Sequence, residues 1–333
     1  MRRSALLSVA SGVVRVTRFR TVFLLGVALM VLTSCGVFCP LFRTDCNAPP
    51  SWPPKSISGR FDVGNYKLYM SCSEPDNWRS GSPTVVYLHG FSVGGENQRG
   101  SGDTLALDNA LGGDDRMCSY DRANVGKSDD VPGLRTGESS VKDLHRLLDA
   151  AGIKPPYVLV GSSFGGLIAH SYAATFPKEV VGMVLLNDAP FPGEIKLEHY
   201  WPKEERLKYQ DWGAYEEKLD QYDVYKHALR VAGKEPDIPV SYLQASPPTW
   251  EGPPEWEAAM QDELDEYVEG FSHGTIRKVR NLDYIVVPRA PERIAKEVHM
   301  EWDIVREDQH QGERVAKEIN KLIASISKVE GDP

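Results

Sequence analysis

The chain has little basic charge outside its first residues. It has 333 residues and a formal net charge of -9. Residues 1–34 contain five arginines and no acidic residue, so the rest of the chain is more acidic than the whole. Proteins that bind nucleic acid usually present a basic face to it. This charge balance argues against nucleic acid as a partner.

The N-terminal region lacks an apolar run long enough to span a bilayer, which needs about 20 residues. Its apolar run, "TVFLLGVALMVLT" at residues 21–33, instead suits a signal peptide. The following "LTSC" resembles a bacterial lipobox, in which small residues precede a lipidated cysteine. We therefore expect residues 1–34 to be a lipoprotein signal peptide and lipidated Cys35 to anchor an exported protein to the bacterial cell membrane. The alternative is an ordinary signal peptide followed by a chance cysteine.

Cysteines are few, and no pair has the spacing of a zinc site. Export would place the chain in a compartment that permits disulfides. Without Cys35 there remain four cysteines, which allow three pairings: Cys39, Cys46, Cys72 and Cys118. Local spacing favours a Cys39–Cys46 bridge around "CPLFRTDC".

The distribution of proline and of apolar residues predicts an α/β fold. Residues 35–58 are proline-rich and indicate a tether. Strands and helices then alternate, which predicts a mostly parallel sheet with helices on both faces. The predicted segments are a core at 59–190 and 238–328 and a helical cap insertion at 191–237. The predicted strands are 67–72, 84–90, 116–122, 157–161, 180–188, 238–245 and 275–279, and the clearest helices are 140–152 and 164–176.

One strand–turn–helix carries a catalytic motif. Gly161-Ser162-Ser163-Phe164-Gly165 fits G-x-S-x-G, with Ser163 at its centre. A buried strand precedes the motif and a helix follows it, which is the context that a nucleophile elbow requires. A glycine-rich turn that serves packing alone would not need serine at this position. We therefore predict that Ser163 is a nucleophile.

The segments "VVYLHGF", "CSYDRANVGKSD", "VLVGSSFGG" and "VVGMVLLND", in this order, resemble the α/β-hydrolase superfamily. The resemblance is strongest to exported actinobacterial-type members with a cysteine ahead of the His-Gly strand and another in "CSYDR". It covers residues 60–190 well and the C-terminal third poorly. It implies that the strands carrying Cys72 and Cys118 are neighbours, which supports a second disulfide between them.

The resemblance also implies an oxyanion hole with two backbone donors. These are the N–H groups of Phe91 and Phe164, which would stabilise the charge of a tetrahedral intermediate. In this family, His89 shapes a loop rather than acting as a base. Asp121 and Arg122 likewise form a structural turn.

Serine at the elbow implies an acyl-enzyme, and hence an ester, thioester or amide substrate. The family places an acid after a later strand. After the strand that ends at residue 245, the nearest acid is Glu251, six residues beyond. Asp188 stands at the end of the preceding strand, an alternative position within the superfamily. We expect Asp188 to orient the histidine.

The sequence offers more than one candidate for the catalytic histidine. It should follow the last strand, but Asp283 occupies the region where the family pattern places it. His299 is the preferred candidate, and His310, close to the start of the final helix, is the second. His273 precedes the last strand and should lie at the wrong edge of the sheet. A chain without a triad histidine is the remaining alternative.

Two functions follow from these residues. The first is a membrane-tethered, extracytoplasmic serine hydrolase that acts on a small acyl substrate, with no metal or cofactor. The second is a catalytically inactive α/β-hydrolase-fold protein that binds a partner at the cell surface. The sequence indicates no oligomeric state. Aromatic residues of the insertion either line an acyl pocket or pack the cap onto the core: Tyr200, Trp201, Trp212, Tyr215, Tyr222 and Tyr225.

Overall fold

The fold is known from a computed structural model that describes residues 55–76, 78–90, 115–186, 190–200, 202–203, 217–246, 248, 252–280 and 308–329. Within them the chain forms an eight-stranded sheet, five α-helices and one 3-10 helix, Pro192–Tyr200. The strands are β1 (Lys55–Asp62), β2 (Lys67–Glu74), β3 (Thr84–Leu88), β4 (Met117–Tyr120), β5 (Tyr157–Ser162), β6 (Val180–Leu186), β7 (Val240–Ser246) and β8 (Gly274–Arg280). The helices are α1 (Gly137–Ala150), α2 (Gly165–Thr175), α3 (Gln221–Val231), α4 (Pro254–Glu269) and α5 (Asp308–Val329).

The sheet has the order β1-β2-β4-β3-β5-β6-β7-β8. Strands β1 and β2 are antiparallel to each other, and β2 is antiparallel to β4. The six strands from β4 to β8 in this order are parallel. Parallel strands all end at one edge, so β3, β5 and β6 deliver Leu88, Ser162 and Leu186 to the same side of the molecule.

Side chains alternate between the two faces of the sheet, and described helices cover both faces. Leu159 of β5 packs into a core with α1 and α2. Its neighbours Val158 and Val160 point to the opposite face, where they share a core with Val315 and Ile319 of α5. Burial on both faces explains why the central strands are continuous apolar runs. The predicted α/β class, with a mostly parallel sheet covered on both faces, is confirmed.

The first strand is a difference from the sequence-based prediction. Strand β1 begins at Lys55, inside residues 35–58 that the sequence analysis assigns to a tether. Its sequence, "KSISGRFD", offers Ile57 and Phe61 as its large apolar residues, so no strand signal stands out beside the prolines. Pairing with β2 along its whole length supplies the order that the pattern does not reveal.

The structure contains the disulfide that the family resemblance implies. Cys72 of β2 lies directly opposite Cys118 of β4, and the two are bonded. The other cysteines, Cys35, Cys39 and Cys46, lie outside the described residues together with the expected signal peptide. Among the helices that the structure describes, none has the length and apolar character to cross a membrane.

Candidate active site

Ser163 lies in the sharp turn between β5 and α2, at the edge where the parallel strands end. Its φ angle is +47°, a left-handed conformation that is uncommon for a residue with a side chain. Its N–H donates to the carbonyl of Leu186 on β6, at 2.9 Å. A non-glycine residue in this region stores backbone strain, which persists where surrounding contacts fix the conformation.

Glycines around Ser163 allow three backbone segments to meet. A Cβ atom on Gly165 would lie 2.2 Å from the carbonyl oxygen of Leu88, at the end of β3. A Cβ atom on Gly161 would lie 2.7 Å from the Cα atom of Gly166. Backbone atoms cannot give way as a flexible side chain can. The two motif glycines are therefore required because strand β5, strand β3 and helix α2 approach too closely for any side chain.

Gly90 brings the turn after β3 against the serine. A Cβ atom on Gly90 would lie 3.2 Å from the Cβ atom and 3.8 Å from the hydroxyl oxygen of Ser163. Phe164, a predicted oxyanion donor, is buried at the N-terminus of α2. A helix N-terminus is an environment that stabilises negative charge. The described part of the site thus contains the serine and one of its two expected backbone donors.

The remaining expected members of the site lie outside the described residues. These are Phe91, Asp188 and His299, and Asp283 also lies there. Strand β6 ends at Leu186, which pairs with Ser162 of β5. His310 is in the first turn of α5. As predicted, His273 precedes β8 and lies at the opposite edge of the sheet. There its carbonyl accepts from the N–H of Val240.

Arg122 is the centre of a buried network that connects the cap to the turn beside Ser163. Its Nε and Nη2 atoms donate to the two carboxylate oxygens of Glu217, at 2.8 and 2.6 Å. Its Nη1 and Nη2 atoms also donate to the carbonyls of His89 and Gly90, each at 2.7 Å. The side chains of Arg122 and Glu217 are 6% and 1% exposed. Burial acts to lower the pKa of Arg122, but the charge and hydrogen bonds of Glu217 outweigh it and raise that pKa.

The sequence analysis places Arg122 in a structural turn and does not single out Glu217. Asp121 does form that turn, since its carboxylate accepts from the N–H of Lys127 at 2.8 Å. Glu217 lies 95 residues from Arg122 in a charged stretch, so no periodicity or motif marks it as a partner. The one signal for this pair is the arginine itself, because an arginine within a buried region of the chain needs an acidic partner.

His89 is buried and neutral. Burial, and then the charge of Arg122, hold the pKa of His89 well below its ordinary value. Its Nδ1 atom lies 2.7 Å from the carbonyl of Gly90, so this nitrogen carries the proton and donates. The ring therefore shapes the turn after β3.

The described cap residues place one aromatic side chain beside the elbow. The ring of Tyr225 on α3 meets the ring of Phe164 edge to face, with centroids 6.3 Å apart. Its hydroxyl donates to Glu194 of the 3-10 helix at 3.2 Å. Burial raises the pKa of Glu194 to about 7, against the effect of this hydrogen bond. Glu194 is thus connected through Tyr225 to the ring of Phe164, the residue after Ser163.

The other predicted aromatic residues of the cap are divided. Tyr200 packs against His199, with ring centroids 4.2 Å apart. Tyr222 lies under the ammonium group of Lys226, 4.0 Å from its ring centroid. Trp201, Trp212 and Tyr215 lie outside the described residues. Within the part of the chain that the structure describes, no three His, Cys, Asp or Glu side chains come together as metal ligands.

Comparison with known proteins agrees with this geometry. A family model for the α/β hydrolase fold matches residues 83–245. The region that contains the candidate site, residues 83–245, belongs to the α/β-hydrolase superfamily. Among solved structures, the fold is similar to that of the α/β-hydrolase domain-containing protein 10 from mouse. The superposition covers 81% of this chain and 99% of the mouse chain, with a TM-score of 0.53. At 15% identity this likeness shows the fold alone.

The curated relatives match a shorter stretch. The uncharacterized protein YqjL of Bacillus subtilis is 35% identical over 121 residues, which are 35% of this chain and 45% of that protein. Monoacylglycerol lipase abhd6-B of Xenopus laevis is 30% identical over 138 residues, 40% of this chain and 38% of that protein. The chain thus spans less than half the length of these relatives.

The strain at Ser163 predicts an unusual effect on stability. Replacing Ser163 by glycine removes the Cβ atom that disfavours a positive φ and should stabilise the fold by about 1 kcal/mol. Ser163→Ala keeps the Cβ atom and is the matched control. Urea unfolding of the three proteins measures the difference. A glycine variant that is less stable than the alanine variant would contradict the strained turn.

Proposed function

We propose that this protein is a serine hydrolase that cleaves an ester, thioester or amide through an acyl-enzyme on Ser163. The observation that carries the proposal is the strained conformation of Ser163 in a turn packed against Gly90 and the start of α2. Non-glycine residues at positive φ cluster at active sites, where the surrounding contacts hold the strained conformation.

Each site residue has a role in the proposed reaction. The hydroxyl of Ser163 attacks the acyl carbonyl while His299 removes its proton, and Asp188 orients the imidazole. The N–H groups of Phe91 and Phe164 hold the oxyanion of the tetrahedral intermediate. His299 returns the proton to the leaving group. Water then attacks the acyl-enzyme while His299 takes its proton, and His299 gives that proton to the Ser163 oxygen as the acid product leaves. The ester linkage is the preferred substrate.

The relatives support hydrolysis of a small molecule. One matched protein is named as a monoacylglycerol lipase and another as a putative carbamate hydrolase, and both names describe attack on a carbonyl that bears a heteroatom. Such substrates suit a serine nucleophile with an oxyanion hole.

A second candidate function is a catalytically inactive binding protein at the cell surface. The observation that favours it is Asp283, which occupies the region where the family pattern places histidine. Without a base, the Ser163 hydroxyl would stay a weak nucleophile.

Labelling with a fluorescent fluorophosphonate distinguishes the two functions. We expect wild-type protein and Ser162→Ala to be labelled, because Ser162 is the variable position of the motif. Ser163→Ala should not be labelled, since it lacks the attacking oxygen. Gel fluorescence measures the outcome. A folded wild-type protein that remains unlabelled would leave the binding protein as the function.

The base is tested separately. Because His299 is proposed to accept the Ser163 proton, His299→Gln should lower kcat for a p-nitrophenyl ester by at least about 100-fold. His310→Gln is the matched control and should keep wild-type activity. The reverse pattern would assign the base to His310.

The proposed setting is the extracytoplasmic face of a bacterial membrane, with a lipid on Cys35. The Cys72–Cys118 disulfide supports this setting, since disulfides persist in oxidising compartments. Acyl chains on a cysteine bind a membrane without a spanning helix.

Metabolic labelling tests the anchor. Cells that express the full chain are grown with radioactive palmitate. The wild-type protein and Cys39→Ala should become labelled, and Cys35→Ala should not. The Cys35→Ala protein should also be lost from the membrane fraction, because its acyl chains are absent. Equal label in Cys35→Ala would show that the lipidation site is wrong.

A further inference from the structure

The cap and the turn beside Ser163 share one cation. The guanidinium of Arg122 makes four short contacts with these two parts, to the carboxylate of Glu217 and to the carbonyls of His89 and Gly90. Two parallel hydrogen bonds to a carboxylate fix the plane of a guanidinium as well as its position. The direction in which Arg122 presents its remaining N–H groups to the turn therefore depends on Glu217.

Glu217 is itself held in place by backbone contacts. Its carbonyl accepts from the Asn124 side chain at 2.8 Å. The next residues bond to the loop before α1, with Arg135 N–H donating to the Lys218 carbonyl at 2.6 Å and Asp220 N–H donating to the Arg135 carbonyl at 2.8 Å. This part of the insertion is thus fixed independently of the ion pair, and it offers the carboxylate from a rigid support.

The turn that Arg122 holds lies against the serine. A Cβ atom on Gly90 would stand 3.2 Å from that of Ser163, so a small shift of Gly90 changes the surroundings of the reacting hydroxyl. A peptide unit is planar, so a hydrogen bond to its carbonyl also orients the N–H on its other side. The carbonyl of Gly90, bonded to Arg122, belongs to the same peptide unit as the N–H of residue 91.

We propose that Glu217 and Arg122 are positioning residues for the oxyanion hole, so that an acid of the cap sets the rate of the reaction at Ser163. The inference rests on the proposed function and deepens it. Glu217 orients the guanidinium of Arg122, which holds the carbonyls of His89 and Gly90. Arg122 thereby fixes the plane of the peptide unit that contains the Gly90 carbonyl, and with it the direction of the N–H that would meet the oxyanion.

Kinetics of the full chain test this role. Glu217→Gln keeps the size of the side chain but removes the charge that orients Arg122. We expect kcat for p-nitrophenyl butyrate to fall by about 10- to 100-fold, as for a misplaced oxyanion donor, with KM changed less than about 3-fold. Formation and breakdown of the acyl-enzyme both pass through an oxyanion, so kcat falls whichever step limits it. Rates are expressed per Ser163 that a fluorophosphonate titrates to completion.

The matched control is a second, largely buried ion pair at the end of the strands opposite to the turn. Arg116, just before β4, donates to Glu74 of β2, and their side chains are 10% and 17% exposed. Glu74→Gln should lower the stability of the protein and keep the wild-type kcat per titrated site. Glu217→Asp, which keeps the charge but withdraws the carboxylate, should give an intermediate kcat and remains measurable if Glu217→Gln does not fold.

The outcomes separate this inference from the proposed function. Wild-type kcat per titrated site in Glu217→Gln or in Glu217→Asp would overturn the positioning role and leave the serine hydrolase intact. Equal losses of kcat in Glu217→Gln and Glu74→Gln would also overturn it, since the effect would then be the general one of losing an ion pair. A folded wild-type protein that no fluorophosphonate labels would overturn both.

Discussion

The structure depends on the close approach of three backbone segments at the edge where the parallel strands end. The carbonyl of Leu88, the start of α2 and the end of β5 lie so near one another that Gly161 and Gly165 cannot carry a Cβ atom. This contact places Ser163 at a φ angle of +47°. The strain persists because the surrounding contacts fix the backbone of Ser163. One of them is the hydrogen bond from its N–H to the carbonyl of Leu186 in the sheet.

The Arg122–Glu217 ion pair holds the turn at His89 and Gly90, which lies beside this contact. Burying two charges is costly, and an apolar pair of the same volume would often be at least as stable. An apolar pair could not, however, donate to the carbonyls of His89 and Gly90, which Arg122 satisfies at 2.7 Å. These carbonyls need donors wherever they are withdrawn from water. Orientation of the turn, rather than stability, therefore explains why a charged pair is used here.

Seven of the eight strands and the strand–turn–helix at Ser163 were predictable from the sequence. Their signals are local, because buried parallel strands are apolar runs and the glycine spacing marks the turn. Strand β1 was not predictable, since its order comes from pairing with β2 rather than from its own residues. Glu217 was not predictable either. Its role depends on a partner 95 residues away, and nothing in the chain between them encodes that contact.

The disulfide stabilises the same region from the other side. Cys72 and Cys118 join β2 to β4 at one of the four positions where these two strands pair. Strand β2 then supports the loop after β4: the Tyr69 carbonyl accepts from Asp121 N–H at 3.0 Å, and Tyr69 N–H donates to the Ser128 hydroxyl at 2.8 Å. Arg122 lies in this loop. The antiparallel part of the sheet therefore does more than cover the core, because β2 fixes the loop from which Arg122 reaches Glu217 and the turn at Gly90.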